Sequence, residues 1–138
     1  MVRRLAVLLG LLLAPGLASA QGSPTVSATA AMNHLGEGVI VCGRIVTANF
    51  VGGTTPQPLT GITPPGSPPV TNQSLLLAYD YPYPGQVFSL LIPAADRIKF
   101  GTPEYSLINK RVCVGGTIRN FQGRAQMILS TPTQITYQ

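Results

Sequence analysis

The chain has 138 residues, enough for one domain, and only 9% of them are charged. Nine basic residues against four acidic ones give a formal net charge of +5 at pH 7. This mildly basic balance is compatible with a polyanionic partner, but it excludes the dense basic stripe of a strong nucleic-acid binder.

The first 20 residues have the layout of a secretory signal peptide. Arg3 and Arg4 form a basic start, an apolar segment follows, and Ala18, Ser19 and Ala20 make an A-x-A-like cleavage site. The apolar run is too short to span a bilayer comfortably, so a membrane anchor is the less favoured alternative. We expect a secreted or periplasmic protein. Its mature chain, residues 21–138, is predicted to be one domain with seven basic and four acidic residues, a net charge of +3.

The first half of the mature chain contains one clear strand and one long loop. Residues 21–27 are predicted to be an irregular tail, and the Ala-rich segment 28–38 predicts one or two helical turns that end near Gly36. The β-branched run 39–50 is typical of a strand. Residues 51–74 are rich in proline, which lacks the amide donor of a strand ladder. We expect a loop there, either a disordered insertion or a functional segment.

The second half predicts four more strands. Residues 75–81 and 87–93 are the second and third, separated by a turn rich in proline and glycine. The segment 94–110 has no clean period, and Gly101 and Pro103 interrupt it, so we expect short helical turns. Residues 110–129 predict the fourth and fifth strands as a hairpin, in which Gly123 suits the positive φ of the turn. Residues 131–137 are expected to extend the last strand.

Alternation of side chains assigns faces to the first and fourth strands. The predicted core face carries Val39, Val41, Ile45, Val112, Val114 and Ile118. Cys42 and Cys113 lie on the opposite, arginine-bearing face of the two strands. If these strands are neighbours, the two cysteines meet across the ladder, and an even cysteine count in an exported protein favours a disulfide bond. The alternative is a pair of buried thiols that act as small apolar side chains.

The order strand, long loop, strand, strand, helical piece, strand, strand matches the oligonucleotide/oligosaccharide-binding (OB) fold. The segments HLGEGVIVCGRIV, YPGQVFSLLIP, DRIKFG and NKRVCVGGTIRNFQGRAQMILSTPTQI resemble exported bacterial modules of this fold, related to anticodon-binding-type domains. The resemblance covers most of residues 34–135 apart from the Pro-rich loop. It implies an all-β, five-stranded Greek-key barrel with a short helical element between strands three and four. It also implies that the first strand lies beside the fourth, and nucleic-acid binding by analogy alone.

Ligands of this fold meet the face of strands two and three and the loops after strands one and four. Bases stack there on aromatic side chains, and basic groups follow the phosphates. The resemblance therefore implies that the ligand-binding residues are Arg119, Phe121, Arg124, Lys110, Arg111, Arg44, Tyr81 and Tyr83. A structural role is the alternative for each: Phe121 closing one end of the barrel, the tyrosines packing on neighbouring prolines, and the basic residues keeping the surface soluble. Tyr79 shares the parity of Leu75 and Leu77, which allows a core position.

An enzyme is not expected. The single histidine, His34, and the four acids Glu37, Asp80, Asp96 and Glu104 are scattered, so no zinc set or nucleophile-base pair is visible and no cofactor is predicted. We expect a non-catalytic module that binds single-stranded nucleic acid or a similar polyanion. One alternative is an envelope protein-interaction or structural module that uses the Pro-rich loop or a sheet edge. A weaker alternative is a carbohydrate binder whose tyrosines stack on sugar rings.

Overall fold

The structure of the protein is a computed structural model that describes residues 22–52 and 73–138. The predicted signal peptide, residues 1–20, lies outside the described residues, and so do residues 53–72 of the Pro-rich loop. Signal cleavage and a protein contact through that loop therefore stay predictions. In the described part of the chain, no helix has the length and apolar character needed to cross a membrane.

Short strands and helical turns follow one another along the described residues. The strands are β1 (Thr25–Ser27), β2 (Gly38–Val51), β3 (Ser74–Tyr79), β4 (Phe88–Ile92), β5 (Arg111–Phe121), β6 (Arg124–Ile128) and β7 (Ile135–Tyr137). The helical segments are one four-residue α-helix, α1 (Pro103–Ser106), and the 3₁₀ helices Ala31–His34, Ala94–Phe100 and Pro132–Gln134. Two of these segments, Ala94–Phe100 and α1, form the helical element that the sequence predicts between its third and fourth strands.

The strands form one sheet in the order β1-β2-β3-β4-β6-β5-β7, and β5 also pairs with β2. Strands β2, β3, β4, β6 and β5 therefore make a partial ring of five strands. The pairs β1–β2 and β4–β6 are parallel, and the others are antiparallel. A mostly β chain is thus confirmed.

The predicted total of five strands is wrong, because the described sheet has seven. Residues 25–27 form β1 within the segment that we expected to be an irregular tail, and residues 135–137 form β7 as a separate strand. Each has only three residues, which is too short for an alternating pattern to be recognised in the sequence.

Strand β2 belongs to both halves of the five-stranded ring. Its 14 residues pair with β5 over residues 38–44 and with β3 over residues 45–51. The register shifts between Ile45 and Thr47, and such a bulge increases the local twist of a strand. Gly43 lies just before this bend, where an added Cβ atom would be 2.9 Å from the Tyr79 ring. A glycine at this position therefore lets the two strands approach closely.

The core lies inside the ring and has the predicted composition. The residues predicted on the core face of β2 and β5 have at most 1% of their surface exposed: Val39, Val41, Ile45, Val112, Val114 and Ile118. Tyr79 is also a core residue, since it is fully buried and packs edge-on against Phe88 with ring centroids 5.1 Å apart. Its hydroxyl donates to the carbonyl of Val112 at 3.3 Å, so the one polar atom of the side chain has a partner.

The predicted contact between the two cysteines is confirmed. Cys42 and Cys113 are direct partners in the β2–β5 ladder, with Cα atoms 4.0 Å apart, and they form a disulfide bond. Both are half-buried on the face that points away from the core. The bond joins residues 71 positions apart, and the chain-entropy model gives about 4 kcal/mol of stabilisation for a loop of that size.

Candidate ligand-binding groove

The hairpin between β5 and β6 places an aromatic and a basic side chain next to each other. Phe121 and Arg124 are paired at its end, and the two residues between them, Gln122 and Gly123, have φ values of 51° and 78°. Two successive positive φ angles are typical of the tight two-residue turn that suits the twist of a hairpin. The Asn120 side chain accepts a hydrogen bond from the Gly123 amide at 2.9 Å, which stabilises the turn. The predicted hairpin is confirmed.

A groove of about 560 Å³ lies beside this hairpin, on the outer face of the sheet. Its floor is formed by β3, β4 and β6 through Leu76, Ser89, Leu91 and Gln126. Its walls are the hairpin, the end of β2 with the start of β3, and the connection between β3 and β4: Phe121, Gln122, Arg124, Val51, Gly52, Ser74, Tyr83, Pro84 and Gln86. Strand order thus brings together five separate stretches of sequence around one space.

Buried polar side chains mark the groove as unusual. Gln86, Ser89 and Gln126 are the buried polar residues of the described part of the chain, with 7%, 3% and 1% of their surface exposed, and all three line the groove. Burial of a polar side chain costs free energy unless it is hydrogen-bonded. An apolar residue would be the simpler choice at such positions, so this cluster points to a binding surface.

The Arg119 guanidinium is held on the outer face of the sheet by two contacts. It donates to Oε1 of Gln126 through Nε at 2.9 Å and also through Nη2. Its central carbon lies 5.5 Å from the centre of the Phe121 ring, a cation–π contact. Gln126 in turn donates from Nε2 to the hydroxyl oxygen of Ser89 at 3.2 Å. Three strands are therefore linked by one chain of side-chain hydrogen bonds.

Arg124 connects the hairpin with the opposite wall of the groove. Its Nη1 donates to the carbonyl of Pro84, and to Oε1 of Gln86 at 3.4 Å. Tyr83, next to Pro84, donates from its backbone amide to the hydroxyl of Thr47 at 3.0 Å. The Tyr83 and Phe121 side chains each remain 44% exposed, so both aromatic rings are accessible to a ligand.

The eight predicted ligand-binding residues separate into two groups. Phe121, Arg124 and Tyr83 line the groove, and Arg119 is bonded to its floor. The other four do not line it: Arg44, Lys110, Arg111 and Tyr81.

The residues outside the groove occur on a different part of the sheet. Arg44 and Arg111 are direct partners in the β2–β5 ladder, two positions from the disulfide along each strand, and Lys110 precedes Arg111. The Arg44 guanidinium donates to the Asn109 carbonyl at 2.9 Å. A role of this second group in ligand binding stays a prediction.

Sequence reasoning missed the buried polar side chains of the groove. Gln86, Ser89 and Gln126 are far apart in the sequence, and each is a neutral polar residue of a kind that is common on any exposed strand face. Burial distinguishes them, and it results from pairing between strands that are distant along the chain. The available signal was the parity of Gln126 with Arg124, which places both on one face of β6.

The groove has a basic character. Among the described residues that line it, Arg124 is charged and no aspartate or glutamate occurs. The two ion pairs within the described residues, His34 with Glu37 and Lys99 with Asp96, lie elsewhere. In the same part of the chain, no three His, Cys, Asp or Glu side chains converge as a metal site requires. The arrangement can therefore hold an acceptor-rich or negatively charged ligand.

Comparisons with known proteins give no match: no family model, no curated protein and no solved structure is significantly similar to this chain.

Proposed function

We propose that the protein is an exported, non-catalytic binding module that holds single-stranded nucleic acid, or a similar polyanion, in the groove. The observation that carries the proposal is the groove lining itself. The lining includes two accessible aromatic rings, Tyr83 and Phe121, and the arginine Arg124, while no described acidic side chain lines the space. A second arginine, Arg119, is bonded to the floor through Gln126. Single-stranded nucleic acids are bound by this combination of aromatic stacking and positive charge.

The sheet topology supports an OB-type fold for this module. Counted from β2, the ring places its five strands in the order first, second, third, fifth, fourth, with the fourth returning to the first. In the OB fold, ligands meet strands two and three and the loops after strands one and four. Here the corresponding elements are β3, β4, Val51 with Gly52 at the end of the first strand of the ring, and the Phe121–Arg124 hairpin, and all of them contribute to the groove.

Export is proposed from two features that agree. The basic and apolar leader at residues 1–20 is of the secretory type, and the Cys42–Cys113 bond is of a kind that persists in oxidising compartments.

In the proposed mode of binding, one base stacks on Phe121 and another contacts Tyr83, while the guanidinium groups of Arg119 and Arg124 attract the phosphates. Stacking contributes about 1–3 kcal/mol per base in complexes of this type. Both arginines already have protein partners that fix their positions, so little side-chain entropy is lost when a ligand binds. Few cations take part, and we therefore expect modest affinity.

A titration of the mature protein with a fluorescently labelled single-stranded oligonucleotide, at two salt concentrations, tests this function. We expect binding at low salt that weakens at high salt. Phe121→Ala should weaken binding roughly tenfold, because a stacking platform is lost. Tyr105→Ala, which removes an exposed aromatic ring outside the groove, should have no effect. Absence of binding at low salt, or equal effects of the two substitutions, would contradict the proposal.

Carbohydrate binding is a second candidate, and the neutral polar floor favours it. Gln86, Ser89 and Gln126 provide amide and hydroxyl groups beneath two aromatic rings, a combination that also suits a sugar. Salt dependence separates the two candidates, because a neutral glycan releases no counterions on binding. Binding of an oligosaccharide that is the same at low and high salt, with no oligonucleotide binding, would favour this second function.

A further inference from the structure

The hydrogen-bond chain on the groove floor has a fixed direction. A guanidinium group has five N–H donors and no acceptor, so Arg119 can only donate to Gln126. The Gln126 amide must therefore present its oxygen to Arg119 and its nitrogen to Ser89, and the Ser89 oxygen accepts from that nitrogen. The hydroxyl hydrogen of Ser89 is left over, and it has no acceptor within the described residues.

A second series of hydrogen bonds, which also runs from donor to acceptor away from an arginine, starts at Arg124. Its guanidinium donates to Oε1 of Gln86, which turns the Gln86 amide nitrogen away from Arg124. That nitrogen carries two hydrogens, and within the described part of the chain neither has an acceptor. Both chains thus begin at an arginine and end in a donor, and both terminal residues, Ser89 and Gln86, line the groove.

We infer that the groove, through Ser89 in its floor and Gln86 in its wall, selects a ligand group that presents hydrogen-bond acceptors. If the ligand is single-stranded nucleic acid, as proposed above, the acceptor is the exocyclic carbonyl of a keto base. Uracil and thymine carry an O4 carbonyl, whereas cytosine carries an amino group at the same position. An amino group would face the hydrogens of Ser89 or Gln86 with its own hydrogens, so the preference is for uracil, thymine and guanine.

The position of the aromatic rings favours a base edge over a phosphate as the group on the floor. Phe121 and Tyr83 are in the walls, as is Gln86, and Ser89 is in the floor. A base that stacks on a wall directs its edge toward the floor, while its phosphates remain on the open side of the groove. Phosphate oxygens are also acceptors, and the experiment must therefore separate the two sources.

Oligodeoxyuridine and oligodeoxycytidine of one length make the sharpest comparison. Both are pyrimidines without a methyl group and have the same backbone, so stacking and phosphate contacts are matched. We expect oligodeoxyuridine to bind the unaltered protein at least about fivefold more tightly, the lower end of what one specific base contact provides. Equal affinities would assign the donors to phosphate and overturn the inference. No binding of either oligonucleotide would instead remove the proposed function, and the inference with it.

Two substitutions then test the named donors. Ser89→Ala removes one terminal hydrogen and should reduce the uridine preference, whereas Ser106→Ala, outside the groove, should leave it unchanged.

Gln86→Glu replaces a donor by a carboxylate of the same shape that only accepts, and should lower the ratio of uridine to cytidine affinity further. Gln138→Glu adds the same charge outside the groove and controls for repulsion of phosphate. A uridine preference that survives both Ser89→Ala and Gln86→Glu would overturn the assignment of these donors.

Discussion

Arg119 and Gln126 lie directly opposite each other in the β5–β6 ladder, and the guanidinium of one is bonded to the buried amide of the other. Both polar atoms of that amide are engaged within the sheet, because its oxygen accepts from Arg119 and its nitrogen donates one of its two hydrogens to Ser89. Gln126 is therefore a positioning residue, and it acts through Arg119 and Ser89. The binding properties of the groove and the stability of the sheet are linked at this residue.

Replacement of Gln126 by leucine should lower both stability and binding. The substitution leaves the Arg119 guanidinium and the Ser89 hydroxyl without their partner, and a lost partner at a buried polar group costs about 1–3 kcal/mol. Chemical denaturation measures the stability, and the oligonucleotide titration measures the binding. Ile128→Leu, at an exposed position of the same strand, is the control. Unfolding at the same denaturant concentration as the unaltered protein would show that the network contributes nothing.

The salt dependence of binding should report the number of arginine contacts. For single strands, the logarithm of the binding constant changes with the logarithm of salt concentration by about −0.7 per phosphate neutralised. Contacts from Arg124 in the groove wall and from Arg119, which is bonded to the floor, predict a slope near −1.4, and Arg124→Gln should bring it close to −0.7. Arg111→Gln removes the same charge from the second group and should leave the slope at its original value. Equal changes for both variants would extend the binding surface to the predicted group around Arg44.

Loss of the disulfide should destabilise the protein by about 2–4 kcal/mol, because the unfolded chain gains the freedom of a large loop. The double variant Cys42→Ser/Cys113→Ser, compared with the unaltered protein in denaturant with and without a thiol reductant, measures the effect. Where the variant remains folded, oligonucleotide binding should persist, since neither cysteine lines the groove. Identical unfolding curves in oxidising and reducing conditions would refute a stabilising role.

A methyl group at position 43 should be poorly tolerated. Gly43→Ala places a Cβ atom 2.9 Å from the Tyr79 ring, closer than real contacts allow, and overpacking of this kind costs about 1–3 kcal/mol. Gly38→Ala, in the same strand, meets nothing within 4 Å and should change stability by less than about 1 kcal/mol. Thermal unfolding of the two variants side by side makes the comparison. Equal melting temperatures would mean that the β2–β3 contact is more adaptable than its geometry indicates.

Because Tyr79 is buried, the folded protein should lose stability at alkaline pH. Burial, and to a smaller extent the charge of Asp80, raise the pKa of Tyr79 well above its ordinary value of about 10. The unfolded protein therefore releases this proton first, so the stabilisation is complete below pH 10 and is lost as the pH rises above it. Tyr79→Phe should weaken this pH dependence, while Tyr105→Phe, at an exposed site, should not. Denaturation curves of the unaltered protein and of both variants at pH 8 and pH 11 measure this difference in pH dependence.

The sequence predicted those features that depend on alternation within one strand. Parity placed Cys42 and Cys113 on the same kind of face and identified the buried valines of β2 and β5, because a period of two is preserved through both strands. That the two strands are neighbours was implied by the resemblance to the OB fold. The short strand β1 was not predicted, since three residues are too few to show an alternating pattern. The buried polar residues of the groove were not predicted either, because Gln86, Ser89 and Gln126 come together only when β4 pairs with β6. The predicted binding residues were selected by side-chain type, which cannot say which arginines share a surface, and their role in binding stays a prediction.

The direct pairing of Val51 with Ser74 closes the β2–β3 ladder at the point where residues 53–72 leave and rejoin it. The described residues on either side of that segment are thus held next to each other by the sheet itself. The entropic cost of joining fixed ends rises only slowly with the number of residues between them. The position is therefore a natural insertion site, at which a foreign recognition peptide can be grafted beside the groove while the strands of the partial ring stay as they are.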